Sequence, residues 1–424
     1  MHFKEIISVV IFIAVYAAII TEKVHRTIIS LVGALLIVLL GIMSQNEALG
    51  YVDFNTLGLL IGMMIIVDVV KRSGLFEYLA IKGAKWAKGD PVKMMVVFSV
   101  ITALISAFLD NVTTVLLVTP VILLITDALN IEPIPLLMAE IFASNIGGTS
   151  TLIGDPPNVM IGSEAGLSFM DFVINLGPVT LIVLILTIII MRVYYYRGSY
   201  SIADFQSKLK KFDENKAIQD AALLKYSLVV LIAVIAAFIF HEKLHLEPAT
   251  IALFGGASLL LVSRIQPEEV LREVEWTTIF FFIGLFILVG GIEKAGVIEW
   301  IAKEVLALTG GNPMMTGLTI LFSSAILSAF IDNIPFVATM IPLIKALGQL
   351  TGVDVHPYWW ALSLGACLGG NGTLIGASAN VVVAGIAKKS GYEINFRDYF
   401  KIGFPAMLVG VFASALYLLA RYFK

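Results

Sequence analysis

The sequence predicts an all-α polytopic membrane protein built from two inverted-topology repeats of five spanning helices, each repeat carrying a re-entrant hairpin and a broken helix. Three observations predict it. Of 424 residues, 59% are hydrophobic and only 14% charged, and the mean hydropathy of +0.95 means more apolar surface than a soluble core can bury. The chain matches itself without a gap over a long central stretch at an offset of 222 residues. Basic residues crowd one member of each pair of matching loops and avoid the other.

The offset aligns Gly62 with Gly284, Gly74 with Gly296 and Pro120 with Pro342. It also sets Ser106-Ala-Phe-Leu-Asp-Asn111 on Ser328-Ala-Phe-Ile-Asp-Asn333, and Thr151-Leu-Ile-Gly154 on Thr373-Leu-Ile-Gly376. Repeated Gly and Pro fix backbone geometry, so the halves share one fold. Cytoplasmic loops collect Lys and Arg. The segment from Lys71 to Lys93 carries Lys71, Arg72, Lys82, Lys85, Lys88 and Lys93, whereas its match from Glu293 to Met315 has only Lys294 and Lys303. Conversely, Ser44 to Phe54 has no basic residue and Arg264 to Glu275 has two. Matching loops therefore face opposite sides, which requires an odd number of crossings per repeat.

In chain order, repeat one covers residues 1–191. An apolar run follows Lys4 with no small-residue cleavage site before Thr21, so it reads as a spanning helix and not a secretory leader. Spans near 4–20, 27–43 and 55–71 precede a re-entrant hairpin at about 92–128, a broken helix at about 134–163 and a span near 174–191. Residues 192–222, rich in charge, read as a cytoplasmic linker, with an amphipathic surface helix as the alternative to a plain solvated segment. Repeat two, 223–424, follows the same plan with a hairpin at about 314–349 and a broken helix at about 358–387. Ten crossings place both termini outside a cell (inner) membrane.

A net charge of −3 offers no basic face for nucleic acid. The single cysteine, Cys367, excludes an internal disulfide. Enzyme chemistry is not expected: there is no HExxH, no Ser/His pairing, and His2, His25, His241, His245 and His356 fall in termini or loops. No Gly-Lys-Ser/Thr loop is present, so ion gradients should drive the chain, with a partner ATPase subunit left open. No cofactor is expected beyond a coupling ion, Na+ or H+.

Asp110 and Asp332 each lie inside an apolar run and each precede an Asn. A carboxylate at membrane depth costs about 2.5 to 3.5 kcal/mol, so it marks a cation, a proton or a cavity; an interhelical hydrogen bond is the structural alternative. The stretch Ser144-Asn-Ile-Gly-Gly-Thr-Ser-Thr-Leu-Ile-Gly-Asp-Pro-Pro-Asn158 and its counterpart Ala366 to Asn380 cannot be regular helix. Broken backbone at that depth lines protein or water, and its freed carbonyls and half-helix N-termini hold ions. Thr149, Thr151, Asn158, Asn371, Thr373 and Asn380 are hard neutral ligands suited to Na+. Asp155 has no acidic partner in repeat two, where Ala377 stands, so it is either a unique cation or proton site or an N-cap. Cys367 beside the second break reads as a small buried residue or a soft-substrate contact. No Lys or Arg is expected in this site.

At these residues the chain resembles the ion transporter superfamily, and within it the group of arsenical pumps, NhaD-type antiporters and melanosomal P proteins with a citrate-transporter-like domain. The stretches Ser106-Ala-Phe-Leu-Asp-Asn-Val-Thr-Thr114 and Ser144 to Asn158 look most like the P-protein branch. The resemblance implies a scaffold region and a transport region, a homodimer in membrane lipid, and elevator-like movement. Carried over by position, it implies ion and substrate sites at Asp110, Asn111, Thr113, Thr114, Asn145, Gly148, Thr149, Thr151, Asp155 and Asn158 of repeat one. In repeat two the implied residues are Asp332, Asn333, Gly370, Asn371, Thr373 and Asn380, with Na+ expected at Asp110, Asn111 and Thr151 and at Asp332, Asn333 and Thr373. The chain is also similar to divalent anion/sodium symporters, whose hairpin tips carry Ser-Asn-Thr where this chain has Asp-Asn, a departure that speaks against dicarboxylates. The expected function is Na+- or H+-coupled transport of a small inorganic ion, arsenite/anion efflux being the group's default. Na+/H+ antiport, an anion channel and Na+/dicarboxylate symport are the alternatives.

Overall fold

The computed structural model describes residues 3–21, 23–88, 90–196 and 213–423; the amphipathic helix weighed for the linker would fall largely outside them. Among the described residues regular structure is entirely helical. The first half comprises α1 (Phe3–Thr21), α2 (Arg26–Leu39), short α3 (Gln45–Gly50), α4 (Phe54–Arg72) and α5 (Leu75–Trp86). The hairpin pair α6 (Pro91–Ser106) and α7 (Asn111–Leu129) follows, then the interrupted pair α8 (Ile134–Thr149) and α9 (Pro156–Ala165), then α10 (Phe169–Tyr195). After a 3-10 turn at Glu214–Ala217, the second half has α11 (Ala221–Ile239), α12 (His241–Leu244), α13 (Pro248–Ser263), α14 (Pro267–Glu273), α15 (Trp276–Lys294) and α16 (Val297–Thr309). Its hairpin is α17 (Pro313–Phe330) and α18 (Asn333–Thr351), its interrupted pair α19 (His356–Gly369) and α20 (Ser378–Lys389), and α21 (Phe396–Tyr422) closes the chain.

Local chemistry recurs with the offset. Asp90 accepts from the N–H groups of Val92 and Lys93, and Asn312, its match, from those of Met314 and Met315. Each cap is followed by a proline, whose fixed φ suits the first helical position. The segments after α4 and α15, expected from the sequence as loops, contain helices α5 and α16. Phe76, Ala80, Gly83 and Ala84 form the buried stripe of α5, an i, i+4, i+7, i+8 pattern that outweighs its lysines. Helix α10 starts at a capping box of Ser168 and Asp171 and runs past residue 191.

Eight helices of the described residues are long and apolar enough to cross a membrane, and four shorter apolar helices accompany them. Helix α8 is buried from Pro135 to Thr149 and α19 from Pro357 to Gly369, so the two interrupted elements form the centre. Helices α10 and α11 expose apolar side chains such as Leu181, Ile185, Val229 and Ile232, the surface a lipid tail accepts. Because lipid is as apolar as Leu, helices in it associate through close packing at small residues. The contacts between halves are reciprocal: α4 packs on α13 as α15 packs on α2, and α7 on α20 as α18 on α9. At the first pair a Cβ on Gly62 would lie 2.4 Å from the Ala252 backbone, and one on Gly284 2.7 Å from that of Ser30.

Candidate functional site

The hairpin tips and the breaks of both halves meet in the middle. Each hairpin is tied to the adjacent break by the same two bonds. Ser106 donates to the Ser144 carbonyl at 2.7 Å and Ser328 to that of Ala366 at 2.6 Å, while Thr151 donates to Ala107 and Thr373 to Ala329. Gly147 and Gly369 permit this approach, since a Cβ there would meet the backbone of Ala103 or Ala325 within 2.3 to 2.6 Å. The carbonyls freed by each break are not left bare. Asn158 Nδ2 donates to those of Thr149 (3.1 Å) and Thr151 (2.9 Å), and Asn380 Nδ2 to those of Gly370 (2.8 Å) and Thr373 (2.9 Å). Thr149 caps the Asn145 carbonyl at 2.7 Å. These hydroxyls and amides hold the breaks open against helix formation, and only their remaining lone pairs are available to an ion.

A buried amide cluster joins the halves. Asn145 accepts from Asn111 Nδ2 at 3.0 Å and donates to the side-chain oxygens of Asn371 and Asn380, each at 2.9 Å. The position matching Asn145 is Cys367, fully buried, with its sulfur 3.7 Å from Asn158 Oδ1, which also accepts from Ser363 at 2.6 Å.

Beside this cluster lies a cavity of about 30 Å³ lined by Asp110, Asn111, Asp155, Asn333, Glu275, Arg26 and Ser378 among others. Room for one water needs about 10 to 15 Å³ on this measure, so the cavity admits about two waters or one small ion. The N-termini of α7, α9, α18 and α20 all reach it through Asn111, Pro156, Asn333 and Ser378. The carboxylates differ in their attachments. Asp110 caps α7, accepting from Thr113 N at 2.8 Å and from the Thr113 hydroxyl. Glu275 accepts from Thr278 at 2.9 Å. Asp332 accepts from Ile334 N at 3.1 Å, from Ser378 at 2.9 Å and from the Arg26 guanidinium at 2.8 Å. Asp155 stands at the start of α9 but its side chain makes no cap. It turns across to the other half, where Asn333 Nδ2 approaches its two oxygens at 3.3 and 3.4 Å.

The sequence-predicted residues Asp110, Asn111, Asp155 and Asn333 thus line one cavity. Asp332 faces a neighbouring vestibule of about 420 Å³ that also touches Arg26, Ser378, His25 and Val381. Thr113 and Thr114 lie in the first turn of α7, and Gly148 and Gly370 end their half-helices against the chain of Gly154 and Gly376. Thr114's hydroxyl is buried without a partner. The expectation of no Lys or Arg in the site is corrected by Arg26, which begins α2, stacks over the Phe281 ring at 5.0 Å and bridges to Asp332. Sequence reading also passed over Glu275 and a fully buried Glu140 on α8. Among the described residues no group of three or more His, Cys, Asp or Glu gathers to hold a metal ion.

The family model described as a citrate transporter matches residues 16–365. An uncharacterized transporter of Mycobacterium tuberculosis is 45% identical over 99% of both chains. The human P protein is 34% identical over 98% of this chain, which spans 60% of that protein's length. Two solved structures share the fold. The YdaH transporter of Alcanivorax borkumensis, described as having an unusual topology, superposes with a TM-score of 0.62 at 15% identity over 98% of this chain and 97% of that one. MtrF of Neisseria gonorrhoeae, described within a class of antimetabolite efflux pumps, gives 0.66 at 11% identity over 100% and 96%.

Proposed function

The chain belongs to the citrate transporter family of membrane transporters, and from that premise we propose that it is a secondary active transporter coupled to one monovalent cation, Na+ or a proton, held at Asp155 with Asn333 and Asp110. The attachments of the carboxylates carry this reading. Asp332 pairs with Arg26, Asp110 caps α7 and Glu275 accepts from Thr278. Among the described residues Asp155 neither caps a helix nor meets a cation, and the Asn333 amide approaches it, so it is the carboxylate left to hold an ion. The cavity volume suits one small ion and no polyatomic solute.

Plain cation/proton antiport needs nothing more than this site. The alternative, coupled movement of a small anion such as the arsenite of the sequence expectation or a carboxylate, is favoured by one observation: the Arg26 guanidinium and the α20 N-terminus border the larger vestibule. In either case the hairpins and breaks move against the α2/α15 and α4/α13 pairs, with inverted halves exposing the site to each side in turn. The test is proteoliposome flux with an internal pH dye and an imposed Na+ gradient, adding arsenite, chloride and dicarboxylates singly. Asp155→Asn, which keeps shape and removes charge, should abolish Na+-dependent proton movement in correctly folded protein. Unchanged Na+ and pH dependence in that variant would overturn the assignment.

A further inference from the structure

Glu140 lies in the run Leu136-Leu-Met-Ala-Glu-Ile-Phe-Ala143 of α8, five residues before Asn145 and so about 7.5 Å from it along the helix axis. It is fully buried. One carboxyl oxygen accepts from Thr119 of α7 at 3.0 Å, and the other meets no partner among the described residues. Ser99, Thr102 and Ser106 follow an i, i+3, i+7 stripe on α6, and Ser106 bonds the Ser144 carbonyl one turn beyond Glu140, which turns the stripe toward α8. Ser99 and Thr102 are themselves buried with unpartnered hydroxyls. The matching positions in the second half are Leu321, Ser324 and Ser328 on α17, and Leu362 in place of Glu140. The second half keeps two of the hydroxyls, with Ser324 likewise buried and unpartnered, but the acid and the Ser99 hydroxyl belong to the first half alone.

The helices packed on α8 are α6, α7, α10, α19 and α20. Their ionisable groups stand mostly at their ends: Lys93 on α6, Asp110 and Asp127 on α7, Asp171, Arg192, Tyr194 and Tyr195 on α10, His356 and Tyr358 on α19, Lys388 and Lys389 on α20. Cys367 of α19 lies at Asn158, and Tyr399 of α21 meets α8 at the Phe142 ring, two residues from Glu140. Among the described residues none of them is a partner of the carboxyl, whose one hydrogen bond is to Thr119.

A carboxylate at membrane depth with one of its two oxygens unpartnered is costly unless a proton neutralises it, and such groups mark proton pathways. We propose that Glu140 is a proton-binding site of the transport cycle, separate from the ion at Asp155. It binds and releases H+ on the unpartnered oxygen, reached along the Ser99, Thr102 and Thr119 hydroxyls, while Thr119 keeps the other. The inference rests on the ion-coupled reading of the chain but uses different residues and a different readout.

Infrared difference spectra of purified full-length protein, stepped across the pH range of transport, test it. Wild type should show a protonated-carboxyl band that titrates and is missing in Glu140→Gln. The same variant in proteoliposomes should flatten the pH profile of transport while keeping exchange that moves no net proton. Asp155→Asn should lose ion coupling yet retain the infrared band, so the two readings fail separately. If Glu140→Gln does not fold, Glu140→Leu, the residue of the second half, is the second variant, and isotope-edited spectra of wild type labelled at glutamate read the site directly. A carboxyl band that does not titrate, or a wild-type pH profile in a folded variant, overturns the proposal.

Discussion

The two hairpin tips have one backbone and two electrostatic characters. Both begin a helix with Asp-Asn, both are bonded to their break by Ser and Thr in matching positions, and both meet the opposite half's resumed helix. Yet Asp332 is paired with Arg26, whereas Asp110 has no ion pair among the described residues, and the position matching Arg26 is Pro248. At the offset of 222, Asp155 corresponds to Ala377, Asn145 to Cys367 and Glu140 to Leu362. A duplicated scaffold preserves what sets backbone geometry and frees the side chains to diverge. Here divergence has concentrated unneutralised acid in the first half and placed the compensating cation against the second.

Moving the acid between halves is the strongest way to break this comparison. Asp155→Ala should reduce coupled flux by roughly 100-fold, or about 2.8 kcal/mol, because it removes the carboxylate that holds the ion. Adding Ala377→Asp to it should not restore coupling, because the transferred carboxylate would lie on the side that Arg26 already neutralises. Recovery of wild-type flux in the double variant would show the halves to be interchangeable.

A smaller effect is expected at the ion pair itself. Arg26 and Asp332 are about one third and one sixth exposed, so solvent discounts their attraction. Arg26→Gln should change the half-saturating Na+ concentration by about 10-fold, or about 1.4 kcal/mol, by adding a negative charge to the site. Arg26→Gln with Asp332→Asn should return it toward wild type. Additive effects of the two changes would mean that the pair is not a unit.

Much of the fold was legible because its signals are local. Asp90-Pro91 and Asn312-Pro313 start helices by capping, and the Gly-Gly and Pro-Pro pairs interrupt α8 before α9, without help from distant contacts. Acidic groups in apolar runs marked Asp110 and Asp332 for the same reason, and Asp155 stood out by its place in the break and by the Ala377 that matches it. Arg26 was missed because it sits at the mouth of a short connection and acts on Asp332 some 300 positions away, a pairing that only the interleaving of the halves creates. Glu140 carried the same signal as Asp110, an acid in an apolar run. Lacking a counterpart in the second half, it was invisible to a comparison that rewards recurrence. Helix α5 was hidden by its lysines, although its stripe of small and apolar residues was present.

The smallest effects belong outside the membrane, where the offset relates two ion pairs. Lys294 meets Glu47 at 2.7 Å, and Arg72 meets Glu269 at 3.0 Å. Lys294 and Ser44 hold the Glu47 carboxyl down to about 2 from its ordinary 4.5. Its folded value lies below the unfolded one, so its contribution to stability is present above the unfolded value and fades as pH falls from there through about 2. Both glutamates are open to water, which keeps each contribution small and sensitive to salt. The pairs are still unequal, because Arg72 is also held by Asp68 at 2.8 Å, whose counterpart is Gly290. Glu269→Gln leaves Arg72 a partner, while Glu47→Gln takes from Lys294 the carboxylate that holds it. Thermal melts of the two variants at low salt and neutral pH should therefore show the larger drop for Glu47→Gln, and the gap should close in high salt or below the carboxylate range. Equal melting temperatures at low salt would mean that Asp68 adds nothing to its end of the molecule.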